Sequence, residues 1–339
     1  MPLLPLAAFV LAAVLSFALM PLVVRMAWAT GYLDQPEARK LHAHATALLG
    51  GAGVFLAALI GWGLIMVRLP HAPADWEAYY LLAGAALSLA IGLWDDRFGM
   101  RASIKMLGQA AAATIVIAGG LVPRIGLPIG IEAALTLVAL VGLMNAVNFL
   151  DNMNGMVGGL AAIALAGFAW TSIARGAAGV GTAQLALAGA CVGFLPHNFP
   201  RARVFLGDAG SLLLGYSLGA SALMAIQGAP PGWGRAGPLV MLAYPAFDMI
   251  FVILTRVRDG RPVYEGGRDH TNHRLASVLK CPKRTVLMLW ASGAVLCASG
   301  LGILLLNRAL PTLLTSGLWT ILLLWSGRRL SFVPIAPRT

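Results

Sequence analysis

Uncharged apolar runs recur along almost the whole chain, separated by short polar segments. They occupy residues 3–24, 50–67, 79–94, 104–122, 131–149, 156–174, 182–195, 211–226, 239–255, 285–306 and 309–326. About 20 apolar residues suffice to cross a bilayer as a helix, so the pattern predicts eleven crossings joined by short loops. The first run has no basic segment before it, and Arg25 follows it, the reverse of a secretory signal. It is expected to remain as a helix whose N-terminus lies outside and whose Arg25 end is cytoplasmic. Eleven crossings then place the C-terminus in the cytoplasm.

Composition agrees with this pattern. Of 339 residues, 59% are apolar and only 11% charged, against roughly a quarter charged in soluble domains. The mean hydropathy of +0.82 excludes a soluble globular protein. The expected fold is all-α, a polytopic transmembrane helical bundle of ten to eleven helices forming one integral membrane domain over residues 1–339. Its polar loops fall around 29–49, 95–105, 145–155, 196–211 and 256–284. The three cysteines, Cys191, Cys281 and Cys297, form no Cys-x-x-Cys pair, which argues against a disulfide framework or a thiolate zinc site.

A net charge of +11 could point to nucleic acid, but in a membrane bundle basic residues mainly set orientation. Of the 24 basic residues, only Arg68, Arg124, Arg175, Arg235 and Arg308 fall opposite the Arg25 side, a bias that supports the threading and argues against a nucleic-acid partner. Nine of the thirteen acids follow the same side although no rule requires it: Asp34, Glu37, Asp95, Asp96, Asp151, Asp208, Asp259, Glu265 and Asp269. Asp248 is placed within a span.

Four polar constellations on that side could carry chemistry. Asp95 and Asp96 end the third span, and adjacent carboxylates there need a cation, a shared proton or open water; a solvated helix end is the alternative. Residues 145–155 read NAVNFLDNMNG, which on a helix puts Asn145, Asn148 and Asn152 on one face beside Asp151. Carboxamide and carboxylate oxygens suit Mg²⁺, whereas single asparagines often serve as hydrogen-bonding glue between membrane helices. In 194–215, Gly207, Gly210 and Ser211 surround Asp208 at a helix start that would attract anions, unless Asp208 merely caps that helix. The longest polar loop carries His270 and His273 flanked by Arg268 and Arg274, a set suited to a diphosphate rather than zinc, or to topology alone. On one membrane face these features describe a site for a phosphorylated substrate, with a lipid as the second partner. An ion-coupled transporter and a structural scaffold are the rival readings. The first predicts acids near the midplane, where only Asp248 fits, and the second predicts no clustering of acids.

The order Asp-Asp with a lysine nine residues beyond Asp96, Asn-x-x-Asn-x-x-Asp, Gly-Asp-x-Gly-Ser and His-x-x-His resembles the polyprenyl-phosphate N-acetylhexosamine-1-phosphate transferases. That family includes the undecaprenyl-phosphate N-acetylglucosamine-1-phosphate transferases and the phospho-N-acetylmuramoyl-pentapeptide transferases of peptidoglycan synthesis. The similarity runs from Gly31, through GYLDQPEARKLHAHATALLGG, to about Leu275. The resemblance implies that UDP-N-acetylhexosamine and undecaprenyl phosphate give the lipid-linked diphosphosugar and UMP in the inner membrane, with the site on its cytoplasmic face. It further implies a divalent cation, Mg²⁺ or Mn²⁺, on Asn148 and Asp208. Asp95 and Asp96 match the pair that engages the lipid phosphate, Lys105 a nearby phosphate contact, and Asp151 the acid beside metal and nucleotide. Asn198 matches a nucleotide-binding asparagine, and His270, His273 and Arg274 match the loop that closes on the diphosphate. A homodimer is left open. The chain departs from the family pattern at Asn154, where a second aspartate is common and only its oxygen is kept as a substrate contact. It departs again at Asn272, which replaces a histidine, and at Ala47 and Leu48, where Pro-Arg is usual.

Overall fold

The computed structural model describes residues 3–35, 45–68, 76–263 and 267–334, so parts of the expected loops 29–49 and 256–284 lie outside the described residues. Among the described residues are thirteen α-helices and one two-stranded ribbon. In chain order the helices are α1 (Leu3–Thr30), α2 (Gly50–Met66), α3 (Trp76–Phe98), α4 (Ala102–Ala118), α5 (Ile129–Leu150), α6 (Met156–Ala174) and α7 (Ala178–Asn198). There follow α8 (Gly207–Gly228), α9 (Gly237–Met241), α10 (Ala243–Arg258), α11 (Thr271–Leu279), α12 (Pro282–Leu306) and α13 (Ala309–Ser331). The ribbon pairs β1 (Leu33–Asp34) antiparallel with β2 (Thr46–Ala47).

Each of the eleven apolar runs contains a helix, but they do not all form simple spans. Among the described residues, eight helices are long and apolar enough to cross a membrane. The run 239–255 is instead the pair α9 and α10, bent by 66° at Leu242. Pro245 near the start of α10 has no N–H to donate to the preceding turn, which removes one bond that would have continued α9. Helices α2 and α4 have 17 residues, about 25 Å at 1.5 Å per residue and thus shorter than a hydrocarbon core of roughly 30 Å. The expected open loop 256–284 also contains a helix, α11.

The bundle is organised around α8, which is buried on nearly every side, as suits a helix apolar all round. Small residues set the packing distances. Gly189 and Gly193 of α7 lie against the backbone of Phe9 and Ala13 on α1, and Gly84 and Gly92 of α3 lie against Tyr216 and Ala209 of α8. The site of interest lies at the N-terminal end of α8. There the C-terminal ends of α3 and α5, the start of α4 and the turn before α11 converge. The ribbon joins them, since Phe205 N donates to Ala47 O at 2.7 Å and Gly51 N to Leu206 O at 2.9 Å. At the opposite end Arg235 donates to the carbonyl of Arg124 and Arg175 to that of Met224, so the five minority basic residues include three that gather away from the acidic cluster.

Candidate active site

Lys105 is the hub. Its ammonium lies 2.8 Å from an Asp95 oxygen, 2.5 Å from Asp208 Oδ2 and 3.3 Å from Asn148 Oδ1. Four helices thus deliver four polar groups to one point, and the chain order of the motifs becomes a spatial cluster. Asn148 Nδ2 also donates to Asp208 Oδ1 at 2.7 Å and to Ser211 Oγ at 2.9 Å, fixing its carboxamide. The oxygens that converge on the ammonium show that the site is built to hold positive charge. Two carboxylates and a carboxamide oxygen suit a hard divalent ion that takes its remaining ligands from water and substrate phosphate. Among the described residues no group of three His, Cys, Asp or Glu is arranged to hold a metal by itself.

Asp95 and Asp96 have different partners. Whereas Asp95 meets Lys105, Asp96 turns to α8: its Oδ1 accepts from Asp208 N at 2.9 Å and its Oδ2 from Ala209 N at 3.0 Å. An anion at the start of a helix is favoured by the exposed N–H groups and by the helix dipole. The anion-receptive helix start expected at Gly207 is therefore occupied by a side chain of α3. Asp208 does not cap its own helix, and its carboxylate is left for Lys105 and Asn148. Gly207 makes the approach feasible: its φ is +73°, and a Cβ there would stand 2.6 Å from Asp96 Oδ2.

The asparagine run divides as well. Asn145 exchanges hydrogen bonds with Gln109 of α4, the helix-gluing role. Helix α5 ends at Leu150, so Asn152 does not share a helical face with Asn145 and Asn148. Gly155, at φ +79°, turns the chain into α6. Asp151 lies in this turn, where burial first and the charge of Asp208 second push its carboxyl up to about 7. Asn154 donates to the carbonyl of Pro200. Asn198 is buried, accepts from Gly155 N at 2.5 Å and donates to Val204 O at 2.9 Å, so its carboxamide ties two loops together.

The last polar segment is folded against the same end. Asn272 donates to Asn152 Oδ1 at 2.6 Å, joining α11 to the turn that holds Asp151. His270 stands edge-on to Phe149, the neighbour of Asn148, at 6.3 Å between ring centroids. His273 lies 6.2 Å from His270; its burial, then the neighbouring His270, hold it down at about 4, so it is neutral at pH 7. Arg274 is buried, donating to the carbonyls of Asp269, Leu330, Ser331 and Val333. Two acids of this region have tasks that their sequence context did not disclose. Asp269 takes a bidentate pair from Arg256 at 2.8 and 2.8 Å. Burial alone would raise its carboxyl, but the Arg256 hydrogen bonds outweigh it and hold it at about 2. Asp248 pairs with His270 at 2.7 Å. A carboxylate inside an apolar span always needs a partner, and that was the available signal.

An all-helical, multi-pass membrane protein with this carboxylate and lysine cluster at one end of the bundle has known counterparts. The chain belongs to glycosyl transferase family 4, whose sequence profile matches residues 78–226, the stretch containing Asp95, Lys105, Asn148 and Asp208. Its relatives carry more particular names. A decaprenyl-phosphate N-acetylglucosaminephosphotransferase of Mycolicibacterium smegmatis is 31% identical over 298 residues, covering 77% of this chain and 72% of that protein. A probable undecaprenyl-phosphate N-acetylglucosaminyl 1-phosphate transferase of Bacillus subtilis is 27% identical over 303 residues, covering 87% and 83%. The undecaprenyl-phosphate alpha-N-acetylglucosaminyl 1-phosphate transferase of Escherichia coli K12 is 26% identical over 290 residues, covering 81% and 77%.

Proposed function

We propose that this chain transfers N-acetylhexosamine 1-phosphate from a UDP-sugar to undecaprenyl phosphate, releasing UMP at the cytoplasmic face of the inner membrane. The observation that carries the reading is the meeting of Asp95, Lys105, Asn148 and Asp208 at the end of α8, in a chain of this family. The excess of basic residues on the loops around that end supports the cytoplasmic assignment.

In the proposed step an oxygen of the lipid phosphate forms a bond to the β-phosphorus of the UDP-sugar. The bond from that phosphorus to the bridging oxygen breaks, and its electron pair leaves with UMP. A phosphate monoester has its second pKa near about 6 and is largely ionised at pH 7, so the nucleophile needs placing more than deprotonating. Lys105 and Asp95 flank the position of the lipid phosphate, the ammonium attracting it and Asp95 orienting the ammonium. Asp96 fixes the first turn of α8 and with it the direction of the Asp208 carboxylate. Asn148 and Asp208 would hold Mg²⁺, or Mn²⁺ in its place, and the bound ion would neutralise the diphosphate charge. Asp151 sits beside them at the nucleotide side. Asn154, Asn198, His270, His273 and Arg274 shape the diphosphate side, with Asn198 and Arg274 acting through the backbone they hold.

The test is membranes containing the chain, labelled UDP-N-acetylhexosamine and undecaprenyl phosphate. Labelled diphosphate lipid should form with Mg²⁺, fail with chelator, and fall at least a hundredfold in Asp208→Asn. Lipid labelling that survives chelation or that substitution overturns the mechanism, and no product from any UDP-sugar overturns the reaction. Label trapped on protein without lipid would replace direct attack by a covalent aspartyl intermediate on Asp95.

A further inference from the structure

Asp248 is a buried carboxylate that the reaction described above does not use. It lies in α10, the second half of the broken span, with no solvent exposure. A carboxylate so placed is costly unless its oxygens find donors. Three polar groups reach it, all from the start of α11. His270 Nδ1 lies 2.7 Å from Oδ2, while the Thr271 N–H and hydroxyl donate to Oδ1 at 2.8 and 2.5 Å. Tyr244, one turn earlier on α10, places its hydroxyl 3.2 Å from Thr271 Oγ1. One oxygen of Asp248 therefore closes the N-terminus of α11, and the other addresses an imidazole.

We propose that Asp248 is a positioning residue for phosphosugar transfer, holding His270 with a proton on Nδ1 so that Nε2, on the opposite edge of the ring, is the atom presented to the diphosphate. The two ring nitrogens of histidine are distinct, and the partner of one decides the chemistry of the other. His270 stands where this matters. Its ring abuts Phe149, next to Asn148, and its helix is tied to the Asp151 turn through Asn272 and Asn152. The identity of the ligand rests on the transfer reaction proposed above; the protonation of Nδ1 does not.

Asp248→Asn separates the two tasks. The Thr271 N–H and hydroxyl both require an acceptor, so the amide oxygen takes their place and the NH₂ faces His270. An NH₂ there demands a bare Nδ1 and moves the proton to Nε2, the tautomer reversal that disables a catalytic histidine when its carboxylate is amidated. Solid-state nuclear magnetic resonance of ¹⁵N-histidine-labelled protein, with the His270 signal assigned through His270→Gln, reads this without substrate. A protonated Nδ1 in the native protein and a bare one in Asp248→Asn are expected. A bare Nδ1 in the native protein overturns the proposal whether or not the variant folds, as does a protonated Nδ1 in both. In the transfer assay Asp248→Asn should lose at least tenfold in kcat/KM, and His270→Ala should lose a similar factor. The double variant should be within threefold of His270→Ala, because both changes remove one unit. Losses that multiply would instead make Asp248 a merely structural anchor. Thr271→Val, which removes one bond at the cap but leaves the imidazole contact, should lower the thermal midpoint and keep kcat within threefold; an equal loss of kcat also overturns the proposal. If native protein turns over no UDP-sugar, the reaction falls, and the resonance measurement still decides the role of Asp248.

Discussion

Asp96 of α3 accepts the backbone N–H of Asp208 at 2.9 Å, so a side chain from one helix aims the carboxylate borne at the first turn of another. Asp96→Asn keeps one acceptor oxygen but puts an NH₂ in place of the other, which leaves one N–H without its partner. Stability should fall by about 1–3 kcal/mol, and activity should fall with it, because Asp208 is no longer aimed. Thermal unfolding of the detergent-solubilised chain, paired with the transfer assay, checks both.

Gly92 is what allows α3 and α8 to meet this closely. A Cβ at that position would meet the backbone of Asp208 and Ala209, which cannot move aside as a flexible side-chain tip can. Gly92→Val should therefore abolish transfer with a destabilisation of about 1–3 kcal/mol. The neighbouring Gly99 would have nothing within 4 Å of an added Cβ but sits at φ +68°, so Gly99→Asn, which tolerates that backbone, should be mild. Equal losses at the two positions would contradict the packing argument.

The raised carboxyl of Asp151 carries a cost that depends on pH. Below about 4 the group is protonated folded and unfolded, and it costs nothing. As pH rises toward about 7 the unfolded chain ionises while the buried carboxyl does not, so stability is lost across that window. In metal-free buffer Asp151→Asn should raise the unfolding midpoint at pH 8 and change it little at pH 4. The transfer rate should drop in the same variant, and a pH-independent effect on stability would refute the assignment.

Arg256 and Asp269 form a buried bidentate pair with side chains 2% and 1% exposed. Arg256→Met leaves Asp269 buried with Arg261 still beside it, 3.1 Å away at Oδ2. A broken buried pair costs about 3–5 kcal/mol, and Arg261 should hold the loss to the lower end. The native pair should survive mild acid, since a carboxyl held at about 2 keeps its stabilising charge above about 4 and loses it only as pH falls toward 2. Unfolding curves of both proteins between pH 3 and 7 measure this.

The apolar runs were enough to specify a helical membrane bundle, because in lipid a spanning chain must satisfy its own backbone and each span writes its length into the sequence. Asp95, Lys105, Asn148 and Asp208 were legible as candidates, since charge is scarce in such a chain and clustered where it occurs. Their grouping around one ammonium was not legible, for the four residues belong to different helices whose approach depends on small residues such as Gly92. The separate tasks of Asp95 and Asp96 were equally hidden: adjacent side chains near a helix end point in different directions, and only the position of α8 decides which one meets an N–H. Helix α11 was not legible as a helix because its cap, Asp248, comes from another element. Local pattern carries what the solvent demands of each segment, namely span, side and the presence of charge. Which donor meets which acceptor is a relation between segments, and the tertiary packing of α3, α5, α8 and α10 decided it.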